Sequence, residues 1–340
     1  MNWLKSLIFT ISGLAIAGLF YWALFVPKEE ATQRLYQTIK EQEKQADLLF
    51  KKVSFEEVSA GVKYWQLVAA VGTVNKSTGL ATLQKADGTF YKKGQEALLF
   101  RSPAALWDMK KKEIFLDQPI GYDVTLRGRI AALLRATPRS PFSIFNLPSL
   151  AKGRAGYWFQ AKNLSWKLTD ERIICTGGIL LNKGEVTGYA DKLQGDVGLE
   201  NIRLEGRPYL IVTDPHSAPV TLEAAAFEIS GNEGLFVAQG RPKITWKEAV
   251  VTSTGALYRQ NEKKLELTDN VRINYRDITA AGDSAEYFVA EQKVVLAGHA
   301  WAEQAGNQLN GNKVLVSLKD NKISVIGRSR VVIPAAKVTR

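Results

Sequence analysis

The sequence predicts an all-β protein that follows one amino-terminal transmembrane helix, with its strands arranged as an elongated antiparallel roll or jellyroll. Three observations predict this class. The chain begins with an apolar run that carries no charge, and its apolar and polar residues alternate from about residue 50 onward. Related patterns also recur at a period of about 29 residues, so that each repeat has room for two strands.

The composition indicates a folded, non-catalytic chain with an anionic partner. Hydrophobic residues make up 46% and charged residues 23% of the 340 positions, which excludes a disordered chain. One cysteine excludes a disulfide framework, and two histidines leave little material for a metal site. No Ser-His-Asp set or carboxylate pair stands out, so we expect no catalytic residues, no metal and no cofactor. The net charge of +11 favours an anionic partner, and because the basic residues are spread evenly we do not expect nucleic acid.

Residues 1–27 contain the predicted membrane anchor. Leu7 to Val26 is a run of twenty residues without a charge, and a helix needs about 20 residues to cross the hydrocarbon core of a bilayer. Lys5 precedes this run and mixed charges follow it. This charge asymmetry favours an amino terminus on the inner side of the membrane and the remaining chain on the outer side. A cleavable signal peptide is the alternative, but the bulky aromatic residues beyond the small residues at 15–17 favour an uncleaved anchor.

The chain after the anchor divides into four segments. Residues 28–50 are polar, lack glycine and carry a thin apolar stripe at helical spacing, which predicts a solvated helical stalk. Residues 51–136 predict a first β domain, and residues 155–334 predict a second β domain built from repeats. Three prolines between them predict that residues 137–154 are a linker or a degenerate repeat.

The period of the repeat is measured between reference residues, one in each repeat unit, most of which are glycines. Successive separations are 29, 34, 29, 29 and 29 residues, and a proline-bounded loop at 214–219 accounts for the longer interval. We interpret each unit as two short strands joined by a turn, and because a unit this small cannot bury its apolar face alone, the units must stack. The reference residues are Gly177, Gly206, Gly240, Asp269, Gly298 and Gly327, with Gln118 as an earlier member.

When the repeats are aligned, the positions four and two residues before each reference residue form two apolar columns. These columns predict which residues face the interior of the stacked units. Alternate residues of a strand point to the same face of a sheet, so both columns face inward. From the residues alone, they either fill a closed core or line an apolar trough. The interior columns contain Ile114, Leu116, Ile173, Cys175, Ile202, Leu204, Phe236, Ala238, Leu265, Leu267, Val294 and Leu296.

Two segments resemble known families. Residues 51–123, placed behind a single anchor, resemble the LptC family, the membrane-anchored periplasmic component of the lipopolysaccharide export bridge. The motifs YWQLVA at 64–69 and SPAA at 102–105, followed by IFL at 114–116, carry this resemblance. Residues 155–333 are similar to the repeats of the LptA/OstA family, most clearly at IRLEG, 202–206, and at VVLAG, 294–298. An LptC-like β domain would thus be followed by additional LptA/OstA-like repeats on one chain.

The resemblance implies a function in lipopolysaccharide transport. The chain would accept lipopolysaccharide from an inner-membrane ABC transporter, hold the lipid A acyl chains against the interior columns, and pass the lipid along the β-groove toward the outer membrane. It would be a single-pass inner-membrane protein with its carboxy-terminal part in the periplasm. The chain has no phosphate-binding loop, so the energy must come from the transporter. Two alternatives remain open, namely an envelope scaffold and an anchored polysaccharide-binding β-solenoid with a closed core.

The last strand predicts an edge that pairs with a partner. The end of a stacked roll leaves unpaired backbone groups, which are a template for another strand. By the resemblance, the partner would be a same-fold bridge protein or the matching domain of the outer-membrane translocon. A fold-back of residues 335–340 over the edge is the alternative. The predicted partner edge contains Ile323, Val325 and Val331.

Overall fold

A computed structural model of the chain describes residues 46–136, 156–213 and 218–332, together with Gln37 and Glu41. The predicted anchor at 1–27, most of the predicted stalk and the predicted linker at 137–154 lie outside the described residues. Within the described part, no helix has both the length and the apolar character that a membrane span requires. The stalk prediction is wrong at its end, because residues 48–50 already belong to a strand whose backbone pairs with residues 72–74.

The first four strands form an antiparallel meander. They are β1 (Leu48–Ser59), β2 (Val62–Asn75), β3 (Leu80–Lys92) and β4 (Gln95–Asp108). Turn chemistry sets their ends: Gly61 and Gly94 take up positive φ, and the side-chain oxygen of Asn75 accepts hydrogen bonds from the backbone N–H groups of Ser77 and Thr78.

The remaining strands continue the same antiparallel sheet. The chain forms β5 and β6, a short 3₁₀ turn and one helix, α1, and then seventeen further strands of the described part. Their bounds are β5 (Glu113–Asp117), β6 (Ile120–Tyr122), α1 (Arg127–Ala136), β7 (Tyr157–Gln160), β8 (Asn163–Lys167), β9 (Arg172–Lys183), β10 (Val186–Asp196), β11 (Asn201–Glu205), β12 (Tyr209–Val212), β13 (Val220–Glu223), β14 (Ala226–Ser230), β15 (Leu235–Gln239), β16 (Lys243–Trp246), β17 (Ala249–Thr252), β18 (Gly255–Arg259), β19 (Lys264–Tyr275), β20 (Ile278–Phe288), β21 (Lys293–Gln304), β22 (Asn307–Ser317) and β23 (Lys322–Val332).

The sheet is folded lengthwise into two wings. Strands β5, β8, β11, β14, β15 and β18 pair in one row, which we call wing A. Strands β6, β7, β12, β13, β16 and β17 pair in a second row, which we call wing B. The long strands cross from one wing to the other, and inward side chains of both wings pack into one apolar core.

The line where the long strands bend, which we call the crease, contains the reference residues of the repeat. All seven have a positive φ, from 46° at Gln118 to 95° at Gly327. At Gly206, where φ is 78°, a Cβ atom would lie 2.5 Å from the Cβ of Asp191 on the neighbouring strand, so the backbone angle favours glycine and the space requires it. The two-strand repeat of about 29 residues is present, but the reference residues lie where the chain crosses from one wing to the other, within a long strand or between two short ones, and not in the hairpin turns.

The crease explains why the strands are longer than the sequence indicates. A unit contains one hairpin turn in wing A and one in wing B, and each full strand runs through the crease into both wings. The wing A turns include those at 231–234 and 260–263. The wing B hairpins were not predicted.

The two predicted β domains share one sheet. Strand β5 pairs with β8 and β6 pairs with β7, so backbone hydrogen bonds continue directly across the predicted linker. The strands of the first segment end at Tyr122 rather than at 136, because α1 follows. The 3₁₀ turn and this helix pack on the outer face of wing B, where Leu126 of the turn and Ile130 of the helix cover Trp158.

Candidate functional site

The interior columns point inward, as predicted. Ten of the twelve predicted residues are buried, and the other two, Phe236 and Leu265, are half-buried against the core. The structure divides them into two environments. Ile114, Leu116, Ile173, Cys175, Leu204 and Leu296 are packed in closed core, whereas Ile202, Phe236, Ala238, Leu265, Leu267 and Val294 line a cavity.

Bulky aromatic residues close the interior of the amino-terminal half. Phe90 lies between Phe100 and Trp166, with ring centroids 4.8 and 5.3 Å apart, and Trp65 packs edge-on against Trp107 at 4.9 Å. Cys175 is fully buried in this half, and burial raises the pKa of its thiol well above the usual range. The predicted lining residues there are therefore ordinary core residues.

A cavity of about 1290 Å³ opens between the wings in the carboxy-terminal half. This volume exceeds the roughly 300–1,000 Å³ of typical small-molecule pockets. Its wall is predominantly apolar, and both wings contribute. The lining combines aromatic residues such as Phe227 and Phe236 with small residues such as Ala238 and Ala256.

The wing B half of the lining was missed by the sequence analysis. It contains inward residues that follow the crease, at the second and fourth positions after it. The same alternation that identifies the columns before the crease would have found them, had the reference glycines been interpreted as bends. Such residues of the cavity wall are Leu181, Leu210, Pro242, Ile244 and Ile273.

The mouth of the cavity lies between the two rows of hairpin turns and carries mostly positive charge. Lys183, Lys247, Arg276 and Lys319 line it, and Glu248 is the single carboxylate of the lining. The Arg276 side chain donates a 2.7 Å hydrogen bond to Glu248, which raises the pKa of the guanidinium. Two of these cations lie over aromatic rings of wing B, Lys247 over Trp246 at 5.1 Å and Arg276 over Tyr275 at 5.0 Å.

Polar contacts join the two wings on either side of this mouth. Toward the amino terminus, Lys92 of wing B contacts Asp196 at 2.7 Å and Glu200 at 2.5 Å, both of wing A. We call this group the Lys92 clasp. Toward the carboxy terminus, the Tyr275 hydroxyl donates to the Leu318 carbonyl at 3.3 Å. The mouth is therefore a lateral opening bounded at both ends.

Two further polar contacts join wing A to wing B, one toward the carboxy terminus and one toward the amino terminus. The Asn321 side-chain amide of wing A donates to Asp277 of wing B at 3.1 Å. Near the first strand, Lys112 of wing A contacts Glu57 of wing B at 2.9 Å. Both contacts therefore join turns of opposite wings.

The predicted partner edge is an edge in the structure. Among the described strands, β23 pairs with β22 alone. Ile323 and Val325 are half-buried and pack against the core, and Val331 lies opposite Leu309 in the register. The sequence analysis missed the other edge, β1, where Leu48, Leu49 and Phe50 are exposed.

Groups suited to metal binding do not assemble in the described part of the chain. No cluster of three His, Cys, Asp or Glu residues there has the geometry to hold a metal ion. His299 lies on the surface with its Nδ1 atom 2.8 Å from Asp283.

Comparison with known proteins gives a family match for the repeats. Residues 159–322, just under half of the chain, match the family model described as LptA/(LptD N-terminal domain) LPS transport protein. The structure of LptH, the LptA homologous periplasmic component of the conserved lipopolysaccharide transport device from Pseudomonas aeruginosa, is 19% identical with a TM-score of 0.33, and the match covers 34% of this chain and 96% of that one. No curated protein matches the chain.

The matched range contains the whole lining of the cavity, from Leu181 to Lys319. The segment 51–123, on which the resemblance to LptC rests, lies outside it. Over residues 159–322 the chain is therefore similar to the family of LptA and LptD amino-terminal domains, which are lipopolysaccharide transport proteins.

Proposed function

We propose that this chain binds lipopolysaccharide and carries it across the periplasm as a component of the lipopolysaccharide export bridge. The acyl chains lie in the cavity between the wings, and the sugar and phosphate part stays outside the mouth. The observation that carries this proposal is the large apolar cavity within the residues that match the transport family.

The energetics of the cavity suit an amphiphile. Transfer of an acyl chain from a bilayer into water costs about 0.8 kcal/mol per methylene. A groove lined by Leu, Ile, Val and Phe replaces one apolar environment with another and removes most of that cost. The cations at the mouth complement the phosphates of a headgroup, because Lys and Arg donate charge-assisted hydrogen bonds to phosphate oxygens.

The mouth also supports lateral entry of the lipid. In the amino-terminal half, aromatic residues fill the space between the wings. The cavity of the carboxy-terminal half is open to the side, and the Lys92 clasp bounds it toward the amino terminus. A lipid that reaches this cavity without crossing the closed core passes between the rows of turns. The headgroup then remains in water throughout, which avoids the cost of burying its charges.

We propose further that the chain is a non-enzymatic, single-pass inner-membrane protein anchored by residues 7–26. The uncharged apolar run and the resemblance of residues 51–123 to LptC support this placement. Its partners would be the inner-membrane ABC transporter, which supplies the energy, and a same-fold bridge protein or the outer-membrane translocon domain, which pairs with β23. The unpaired backbone edge of β23 within the described sheet supports that pairing.

One observation favours a scaffold role for part of the molecule. In the amino-terminal half, Trp65, Phe90 and Phe159 are fully buried and the interior is filled. This half would space the carboxy-terminal cavity from the membrane, while the carboxy-terminal half carries the lipid.

Lipid analysis of the full chain tests the proposal. Protein purified from membranes should retain lipid A acyl chains, measured by mass spectrometry after hydrolysis. Ile244→Asn places an amide in the cavity wall and should lower the affinity for lipopolysaccharide about tenfold. Thr245→Asn, on the opposite face of the same strand, is the matched control. Equal affinity of the two variants for lipopolysaccharide would refute the groove as the binding site.

A further inference from the structure

A second cavity of about 950 Å³ lies at the crease on the outer face of the sheet. It is separate from the lipid groove, because its exposed wall residues point away from the core. The lining includes Gly177, Gly178, Gly206 and Arg207 of the crease and Tyr189 of wing B.

A missing side chain explains why the cavity forms at this repeat. The residue directly after the crease glycine or aspartate bears a side chain in the following repeats, namely Arg207, Arg241, Asn270 and His299, each in a positive-φ conformation. The corresponding residue in this repeat is Gly178, and a Cβ atom placed there would meet nothing within 4 Å. The space that a side chain occupies elsewhere is therefore open.

An aromatic surface lies beside the open space at the same repeat. Tyr189 and Tyr209 are directly opposite each other on neighbouring strands, with ring centroids 6.4 Å apart, and Tyr189 is 45% exposed. Both point outward, because their neighbours Gly188 and Leu210 meet on the inner face. The position of Tyr189, seventeen residues before the crease residue, is occupied in the other repeats by Gln160, Glu223, Thr252, Ala281 and Asn310.

Polar groups of both hydrogen-bonding types surround the aromatic surface. The side-chain amides of Gln118 and Gln160 line the cavity, and no hydrogen bond joins either of them to another side chain of the described residues. Asp191 supplies a carboxylate that is exposed and only 3.9 Å from the fully solvated Arg207 guanidinium. The cavity thus combines a flat apolar surface with donors and acceptors at its rim.

We propose that this outer cavity, which we call the crease site, binds a glycan. The apolar C–H face of a pyranose ring packs on an aromatic face, and its hydroxyl groups act as both donors and acceptors. Tyr189 in the cavity wall and Tyr209 beside it provide the ring surface. Gln118 and Gln160 provide amides, and Asp191 and Arg207 provide an acceptor and a donor. A glycan bound here would hold the bridge against a polysaccharide while the groove on the other face carries lipid.

Ligand-observed saturation-transfer NMR titration on the full chain tests the crease site, in a detergent without a sugar headgroup. The probes are a tetramer of N-acetylglucosamine, representing cell-wall glycan, and the lipid-free core oligosaccharide of lipopolysaccharide. Binding of the first alone identifies a wall glycan, and binding of the second alone identifies the sugar part of the cargo. Binding of both identifies a general saccharide site, and binding of neither overturns the proposal.

Variants locate the binding. Gly178→Arg fills the cavity with the residue type found in the next two repeats, and Tyr189→Ala removes the ring surface; each should weaken binding about tenfold or more. Tyr189→Phe should retain glycan binding.

Arg241→Ala is the matched control for Arg207→Ala, since both arginines follow a crease glycine and precede proline, and Arg241 lies outside the cavity. Unchanged affinity in folded Tyr189→Ala would overturn the crease site, whether or not Gly178→Arg folds.

Discussion

At the residue scale, some bends of this sheet lie at glycines where a side chain would be costly for two separate reasons. Gly206 has a left-handed backbone and also contacts Asp191 on the next strand. Gln118 and Asp269 show that the backbone angle alone can be tolerated by other residues. Close approach between strands is therefore what makes glycine necessary at Gly206.

Substitution of Gly206 by alanine separates these two costs. Gly94 has nearly the same φ, 77° against 78°, but a Cβ there would meet nothing within 4 Å. Both Gly206→Ala and Gly94→Ala carry the backbone penalty, of about 1 kcal/mol. Only Gly206→Ala also forces the strands apart, and we expect it to lower the free energy of unfolding by about 2–3 kcal/mol. Denaturant midpoints of the full chain measure this, and equal shifts for the two variants would contradict the account of the crease.

At the element scale, hairpin ends of opposite wings are joined by ion pairs and hydrogen bonds. In the Lys92 clasp, burial would lower the pKa of the ammonium, but hydrogen bonds to Asp196 and Glu200 outweigh it and raise the pKa. The hydrogen bond from Lys92 also lowers the pKa of Glu200. Both shifts mean that the folded state favours the charged pair.

Replacement of Lys92 tests the clasp through its pH dependence. We expect Lys92→Met to cost about 0.5 kcal/mol at neutral pH, because the pair is partly exposed. The contribution of Glu200 to the free energy of unfolding is complete above the pKa that Glu200 has in the unfolded chain. It is lost as pH falls through the lower pKa that Glu200 has in the folded protein. The Lys92 contribution is complete below its unfolded pKa and is lost as pH rises through its higher folded pKa. The stability difference from wild type should therefore be constant between about pH 5 and 10 and shrink outside that range.

Lys93→Met is the matched control for this measurement, since Lys93 is the exposed neighbour in the same turn and forms no ion pair with the described residues. Chemical denaturation across the pH range measures both variants. A Lys92→Met effect no larger than that of Lys93→Met at pH 7 would show that the clasp does not join the wings.

At the scale of the whole molecule, the period and the inward columns could be predicted, and the cavity could not. Alternation along a strand identifies which side of the sheet Leu204 and Leu267 face, because that depends on local geometry alone. Whether they face packed core or open space depends on which residues of the other wing lie across from them. Phe159 of wing B is fully buried in the packed half, whereas Ile244 of wing B lines the open space in the other, and no spacing rule pairs residues across the two wings.

The crease itself was misjudged for a physical reason. A positive φ at glycine is common to hairpin turns and to bends within a strand, so Gly240 and Gly298 have the same local signature as turn residues. The distinction depends on the backbone pairing on both sides, which continues from wing A to wing B. Helix α1 was missed because it is short and precedes the prolines that dominated the interpretation of that region.

Photo-crosslinking from adjacent positions of β15 tests most directly whether the groove carries lipid. Phe236 lines the cavity, and Val237 is half-buried on the opposite face of the same strand. A photoreactive phenylalanine analogue placed at each position in the full-length protein, and activated in cells, should form a lipopolysaccharide adduct from position 236 and none from position 237. Adducts from both positions at equal yield, or from position 237 alone, would contradict the assignment of the groove between the wings as the lipid path.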